Sequence, residues 1–245
     1  MVLTLVSFIF VFSFIPKIPQ WSGYHQFADT RKIWGIPNFA NTISNISFLL
    51  VSVLGLFFLR RQWKNKNLTP EEVIVFLALF IGIFLTGFGS AYYHWSPDNS
   101  SLVWDRLPMT IIFMSLLSLT IMTRINLKLG FWLLVPLIAI GIFSVLYWHW
   151  TELLGRGDLR LYGFVQFYSI FLLIIILFLF PKSYPPLKIY IWMFIFYGLA
   201  KLFEYFDLGI YRSNGLVSGH TLKHIFAAIS TYGIVIILDK REVIR

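Results

Sequence analysis

Long apolar runs separated by short polar connections dominate this sequence. An apolar stretch at residues 2–15 comes first, and a polar segment at residues 21–35 follows it. Seven further apolar runs of about 20 residues complete the chain, long enough to cross a bilayer as helices that satisfy their own backbone hydrogen bonds. Their predicted limits are 37–59, 72–93, 103–122, 131–148, 161–180, 187–206 and 216–238.

This pattern predicts an all-α, polytopic membrane helix bundle with seven core transmembrane helices and an additional N-terminal anchor helix. The first stretch lacks a basic segment before its apolar run. It is followed by Pro16, Lys17 and Pro19 rather than by a small-residue cleavage site, so an anchor is favoured over a cleaved signal. We therefore predict an anchor over residues 1–20 and one membrane domain over residues 21–245.

Composition supports the membrane assignment. Hydrophobic residues make up 58% of the 245 residues and charged residues 13%, with a mean hydropathy of +0.76. Soluble domains carry about 25% charged residues, so a soluble protein is excluded. The chain has no cysteine, and any metal ligands must therefore come from His, Asp, Glu or Ser.

The net charge of +9 does not indicate nucleic-acid binding. Basic residues concentrate in alternate connections, at 60–66, 124–128, 182–188 and 240–245, whereas the connections at 94–102, 151–160 and 207–215 have no excess of positive charge. Basic loops face the cytoplasm in most membrane proteins. We predict a multi-pass protein with both termini cytoplasmic, and the sequence leaves its oligomeric state open.

Five side chains inside or beside the apolar runs carry candidate chemistry. Ser90 and His94 are four residues apart on the second core helix, Asp105 begins the third, and His220 and His224 lie one turn apart on the seventh. The topology places all five near the non-cytoplasmic face. Three histidines with an open fourth position are typical of a catalytic zinc site, in which the pKa of the bound water falls to about 7.

Each of these residues also has a structural interpretation. His94 could be an interfacial histidine, and Ser90 a small residue where helices pack closely. Asp105 could cap the N-terminus of the third helix, with Pro108 in its first turn. The pair His220 and His224 favours the metal interpretation, because two unpaired imidazoles on an apolar helix are costly.

Other ionisable residues have less certain roles. Lys223 lies between the paired histidines, and an ion pair with Glu204 or Asp207 would explain its presence. Glu204 could instead hydrogen-bond a metal-bound histidine. We assign His149 to the aromatic belt at the membrane interface and leave it out of the site.

These residues occur in motifs that resemble the alkaline ceramidase family, within a wider superfamily of seven-helix membrane hydrolases that includes the progestin and adiponectin receptors. The family pattern Asn-Thr-x-Ser-Asn matches residues 41–45, Gly-Ser-x-x-x-His matches residues 89–94, and Asp-x-Leu-Pro-Met matches residues 105–109. The closing His-x-x-x-His matches His220 and His224. The resemblance extends from about Asp29 to the end of the seventh helix.

The resemblance implies a zinc-dependent hydrolase that cleaves the N-acyl bond of ceramide to a long-chain base and a fatty acid. It implies that His94, His220 and His224 bind Zn²⁺, that Asp105 holds and deprotonates the zinc-bound water, and that Ser90 supports the metal site and the developing oxyanion. The alternatives left open are a hydrolase of another acyl lipid with the same site, and a receptor-like membrane protein with a structural zinc.

The sequence departs from the family at two places. Animal and plant members have an acidic calcium-binding segment before the first core helix, and residues 29–38 here read Asp-Thr-Arg-Lys-Ile-Trp-Gly-Ile-Pro-Asn. This difference counts against calcium binding. Lys223 replaces an apolar or aromatic residue of the eukaryotic proteins, as in bacterial ceramidase-like members. A bacterial origin would imply the inner membrane, and the substrate could be a lipid related to ceramide.

Overall fold

The structure is a computed structural model that describes residues 2–182 and 184–241, and within them it is helical without β-strands. The predicted all-α class is confirmed. The α-helices are α1 (Val2–Phe14), α2 (Phe39–Ile43), α3 (Ile46–Lys64), α4 (Pro70–Trp95), α5 (Asn99–Arg124), α6 (Leu127–Leu153), α7 (Arg160–Gly163), α8 (Ser169–Leu179), α9 (Leu187–Tyr205), α10 (Asp207–Asn214) and α11 (Gly219–Asp239).

Six helical segments among the described residues are long and apolar enough to cross a membrane, and α9 with α10 forms a seventh if this pair, bent by 74°, counts as one span. The polytopic membrane bundle is thus confirmed. The 13 residues of α1 extend about 20 Å, less than the roughly 30 Å of a bilayer's hydrocarbon core. The separate anchor over residues 1–20 stays a prediction.

Polar caps extend two helices beyond the apolar runs that predicted them. The Asp98 side chain accepts a hydrogen bond from the Ser101 backbone N–H at 2.6 Å, so α5 begins at Asn99 rather than at residue 103. Thr69 and Glu72 form the same reciprocal arrangement at the start of α4. The caps satisfy first-turn N–H groups that would otherwise lack partners, which lets each helix start outside the apolar region.

The fifth predicted helix is interrupted in the structure. A single turn of π-helix, Phe164–Tyr168, separates α7 from α8 within the predicted run at residues 161–180. Hydrophobic periodicity does not reveal such a turn, because the apolar character continues through it.

The central helix of the bundle is α5, which packs against α4, α6 and α8, while α11 packs against α9 and α3. One feature that brings α4 and α5 together is the pair Gly89 and Trp104. A Cβ on Gly89 would collide with the backbone carbonyl of Trp104. Pro108 follows Trp104 by four residues and has no N–H to donate to the Trp104 carbonyl. The two helices therefore approach closely beside Ser90 and Asp105.

Candidate metal centre

Three buried imidazoles meet at one end of the bundle. His94 lies in the last turn of α4, and His220 and His224 lie in the first two turns of α11. All three side chains are buried, and one nitrogen of each lies within 4.8 Å of the others. The predicted convergence of these histidines from distant parts of the sequence is confirmed.

Neutral polar groups and an aromatic ring orient His94 and His224. Their Nε2 atoms lie 3.1 Å apart, and the Ser44 hydroxyl lies 2.8 Å from Nδ1 of His224. The Phe27 ring packs on His94, with ring centroids 4.6 Å apart. Because Ser44 engages Nδ1, the Nε2 atom of His224 is directed to the cluster. Ser44 belongs to the Asn-Thr-x-Ser-Asn motif, but its role was not predicted.

His220 is positioned through the backbone at the start of α11. The Asp207 carboxylate accepts a hydrogen bond from the His220 backbone N–H at 2.7 Å. A Cβ on Gly219 would collide with the Phe203 carbonyl, so the end of α9 and the start of α11 are in close contact. Asp207 therefore accepts a hydrogen bond at the N-terminus of α11, where the positive end of the helix dipole favours a negative charge.

The arrangement fits a metal ion. Nδ1 of His94 is buried without a hydrogen-bond partner. The Lys223 ammonium, 3.5 Å from Nε2 of His220, is a positive charge beside the cluster and does not itself favour a metal. Over residues 2–182 and 184–241, these three histidines form the one group of at least three His, Cys, Asp or Glu residues suited to a metal. Three nitrogen donors without a fourth protein ligand correspond to a metal site with an open position.

Ser90 and Asp105 lie beside His224 around a shared cavity, here called the inner cavity. Asp105 does not cap α5, because Asp98 performs that function and Asp105 lies almost two turns inside the helix. Pro108 likewise lies beyond the first turn. The capping interpretation of Asp105 was wrong because the helix starts four residues before the predicted apolar run.

The inner cavity becomes apolar away from these groups. His224 and Ile234 both line it and are ten residues apart on α11, so it extends about 15 Å along that helix. Its remaining lining includes Phe48, Ile112, Leu116, Leu173, Met193 and Phe194. An extended hydrocarbon chain is the kind of ligand that such a narrow apolar space suits.

A second cavity, here called the lateral cavity, lies on the other side of Asp105. Its volume of ≈ 830 Å³ exceeds the ≈ 110 Å³ of the inner cavity, and it is lined by α1, α5 and the segment from Leu159 to Phe171. Asp105, Met109 and Lys223 line both cavities. The two cavities therefore meet where the candidate catalytic carboxylate lies.

The predicted ion pair of Lys223 is confirmed. Its Nζ lies 2.6 Å from Oε1 of Glu204, and Lys201 lies 2.8 Å from Oε2 of the same carboxylate. Glu204 thus binds two lysines rather than a histidine within the described part of the chain. His149 stays outside the metal cluster, as predicted.

The segment before the first core helix covers the histidines. Ala28 donates its backbone N–H to Asp207 at 3.0 Å, and Asp29 forms an ion pair with Arg31 at 2.7 Å. Burial by itself raises the pKa of Asp29, but the hydrogen bonds and charge of Arg31 outweigh burial and hold that pKa below its ordinary value. Asp29 therefore stays ionised at neutral pH and orients Arg31, whose guanidinium also donates to the Leu216 carbonyl at 2.6 Å and so links the segment to the chain just before α11.

Comparison with known proteins gives one match. A family model described as Ceramidase matches residues 33–202, more than half of the chain. The matched region includes Ser90, His94 and Asp105, whereas His220 and His224 follow it. No curated protein and no solved structure matches the chain.

Proposed function

The chain belongs to the ceramidase family, and we propose that it is a zinc-dependent hydrolase that cleaves the N-acyl bond of ceramide within the membrane. The products would be a long-chain base and a fatty acid. One observation carries this proposal: His224 of the three-histidine cluster lines a mainly apolar cavity together with Ser90 and Asp105. Such a site can bring a lipid amide to a metal while its hydrocarbon chain stays among the helices.

The proposed zinc ligands are His94, His220 and His224. Imidazole nitrogens are common zinc ligands, and three of them leave a position for water or substrate. Zinc at such a position supplies Lewis acidity and lowers the pKa of bound water. Ser44 supports the set by holding Nδ1 of His224, which leaves Nε2 directed to the cluster.

Asp105 is proposed as the general base and then the general acid. It takes a proton from the attacking water while the water oxygen bonds to the carbonyl carbon, and it returns that proton to the amide nitrogen as the C–N bond breaks. The reaction thus consumes one water and yields a carboxylic acid and an amine. Asp105 has no ion pair among the described residues, so its carboxylate is available for this transfer.

Ser90 is proposed to donate a hydrogen bond to the carbonyl oxygen as negative charge develops there. It lies on α4 one turn before His94, and it lines the inner cavity together with Asp105. A donor fixed on a helix needs little rearrangement during the reaction, which is the condition for effective oxyanion stabilisation.

We also propose that both termini face the cytoplasm and that the zinc site lies near the opposite face. The basic connections at residues 60–66, 124–128 and 182–188 follow α3, α5 and α8, at the end of the bundle away from His94 and His220. Positive residues on the cytoplasmic side support this orientation. In a bacterium the membrane would be the inner membrane.

The test is fatty-acid release from a fluorescent short-chain ceramide by detergent-purified protein, with the zinc content measured in the same samples. We expect about one zinc per chain, as for a single three-histidine site. The double variant His220→Ala, His224→Ala should lose both zinc and turnover. His149→Ala is the matched control, because it removes a histidine outside the cluster and should retain both.

Bound zinc without hydrolysis of any acyl lipid tested would favour a structural metal, as in a receptor-like protein. Turnover of another acyl lipid but not of ceramide would change the substrate and keep the site. Purified protein that binds no zinc when supplied with it would overturn the proposed zinc site.

A further inference from the structure

The lateral cavity contains more positive charge than its lining carboxylate can neutralise. Four cationic residues line it, Arg106, Arg160, Lys201 and Lys223, together with one acidic residue, Asp105. The rest of its lining is largely apolar or aromatic. A lining of this kind favours a ligand that combines negative charge with hydrocarbon.

Two carboxylates outside the lining form ion pairs with three of the four cations. Arg160 forms an ion pair with Asp158 at 2.7 Å, and Lys201 and Lys223 share Glu204. Arg106 has no ion pair in the described part of the chain. It is therefore the cation whose charge no protein carboxylate balances directly.

Arg106 is nevertheless buried, with 6% of its surface exposed. One guanidinium nitrogen donates to the Gln20 side chain at 2.8 Å, and the other terminal nitrogen, Nη1, has no hydrogen-bond partner. The nearby acid Glu152 instead accepts hydrogen bonds from the Gln20 backbone N–H and the Trp148 indole. A buried guanidinium with an unused donor is costly unless a ligand completes it.

Aromatic rings hold the guanidinium in place. Its Cζ atom lies 4.2 Å from the centroid of the Trp148 ring, 4.8 Å from that of Tyr162 and 5.6 Å from that of Tyr24. Contacts of this type attract a cation without consuming its hydrogen-bond donors. Arg106 is thus fixed in position beside the lateral cavity, and it keeps one buried donor that no protein group uses.

Arg106 is also close to the proposed chemistry. It follows Asp105 directly on α5, and both residues line the lateral cavity. In an N-acyl amino acid, one carbon separates the amide nitrogen from the carboxylate. A substrate whose amide is at Asp105 and whose acyl chain occupies the inner cavity would place this carboxylate on the lateral side, where Arg106 lies.

We propose that Arg106 recognises a negatively charged group on the amine side of the substrate, so that acyl amides with a carboxylate or phosphate there are preferred to neutral ones. This inference rests on the proposed amide hydrolysis at the same site, but it replaces ceramide, whose amine side carries no anionic group, with an anionic acyl amide as the preferred substrate. For an N-acyl amino acid, water adds to the carbonyl carbon, the C–N bond breaks, and the amino acid leaves with the proton on its nitrogen. Arg106 binds the anion and takes no part in bond breaking.

The experiment compares three amides with the same acyl chain, N-palmitoylglycine, N-palmitoylphosphoethanolamine and the neutral N-palmitoylethanolamine. Palmitate release by the full-length protein in detergent gives kcat/KM for each. We expect wild type to favour at least one anionic amide by about 10-fold or more, the effect of one charge-assisted contact. Arg106→Gln should lose this preference, mainly through a higher KM for the anionic amide.

Two control variants separate recognition from folding and from general charge effects. Arg106→Lys retains the charge and should keep part of the preference. Arg156→Gln removes an exposed cation that does not line the cavity and should leave the preference unchanged. Direct binding of the anion to a metal would change the substrate preference of wild type and of Arg106→Gln equally. The difference in preference between the two proteins therefore reports the contribution of Arg106.

Ligand-induced stabilisation gives a readout that does not depend on turnover. In wild type, the preferred anionic amide should raise Tm more than N-palmitoylethanolamine does. In Arg106→Gln, the two amides should raise Tm by the same amount. This result without hydrolysis would support the recognition and contradict the proposed function. Hydrolysis with no anionic preference, or a preference that survives Arg106→Gln, would overturn the role of Arg106.

Discussion

The inner and lateral cavities share Asp105 but differ in what surrounds it. Away from Ser90, His224 and Lys223, the inner cavity is mainly apolar and narrow. The lateral cavity is wider, and its lining adds Arg106 and Lys201 to apolar side chains from α1. The two cavities therefore offer different chemistry on the two sides of Asp105, hydrocarbon on one side and cations on the other, and the proposed amide substrate would meet both.

This division follows from how the helices pack. The inner cavity lies within the core bundle, where α5, α8, α9 and α11 present apolar side chains. The lateral cavity is closed by the N-terminal segment, which is held by a hydrogen bond from the Leu159 backbone N–H to the Ile18 carbonyl at 2.8 Å. Arg160 also donates to the Ile15 carbonyl at 2.8 Å. The N-terminal helix thus contributes a wall to a cavity beside the site.

The largest expected effect comes from the residue that both cavities share. Asp105→Asn keeps the size of the side chain but removes its capacity to accept a proton, so kcat should fall about 10²–10⁴-fold. Zinc content and Tm should stay near wild type, because Asp105 is outside the histidine cluster and has no ion pair among the described residues. Fatty-acid release and metal analysis provide the measurements.

A small decrease in kcat for Asp105→Asn would show that another group transfers the proton. Loss of zinc in this variant would instead assign Asp105 to the metal ligands, which would contradict the three-histidine site.

A smaller effect on kcat/KM should show, through the length of the substrate's acyl chain, which cavity holds that chain. Ala227 lines the inner cavity, and Ala227→Leu adds three carbon atoms there. If the acyl chain occupies this space, kcat/KM for a 16-carbon acyl amide should fall about 10-fold relative to a 6-carbon one, as for poorly matched hydrocarbon in a pocket. The short substrate is the internal control. Equal decreases for both lengths would place the acyl chain elsewhere.

The smallest expected effect concerns the segment at residues 27–31, which packs on the histidines through Phe27 and lines neither cavity. Asp29 has a lowered pKa, so its pairing with Arg31 contributes stability above the ordinary pKa of about 3.9 and loses it as the pH falls through the lower folded-state value. Asp29→Asn should therefore lower Tm at pH 7 by about 2–4 °C. The difference from wild type should disappear in stronger acid.

Circular dichroism of both proteins in detergent from pH 7 down to about pH 2 checks this prediction, because the loss is expected below the ordinary pKa of the carboxyl group. The preferences for chain length and for anionic amides should not change in Asp29→Asn, since neither Asp29 nor Arg31 lines either cavity. A Tm difference that grows as the pH falls would contradict the sign of the Asp29 contribution.

Several features of the site could be predicted from local spacing. His220 and His224 are one helical turn apart, and the alternating direction of successive helices places them at the same end of the bundle as His94. The Lys223 ion pair could be anticipated because a buried ammonium needs a counter-charge. The start of α5 could not be placed from apolar character alone, because its cap lies outside the apolar run.

The sequence by itself determined the class of the molecule, an all-α membrane bundle, together with its family motifs and its candidate metal ligands. These features depend on hydrophobic length and on intervals within single helices. The tertiary structure decided that Ser44 holds His224, that Asp105 lies between two cavities, and that Arg106 is buried without a carboxylate partner. Such relations join residues far apart in the chain, and they depend on which helix faces pack together, which no local pattern specifies.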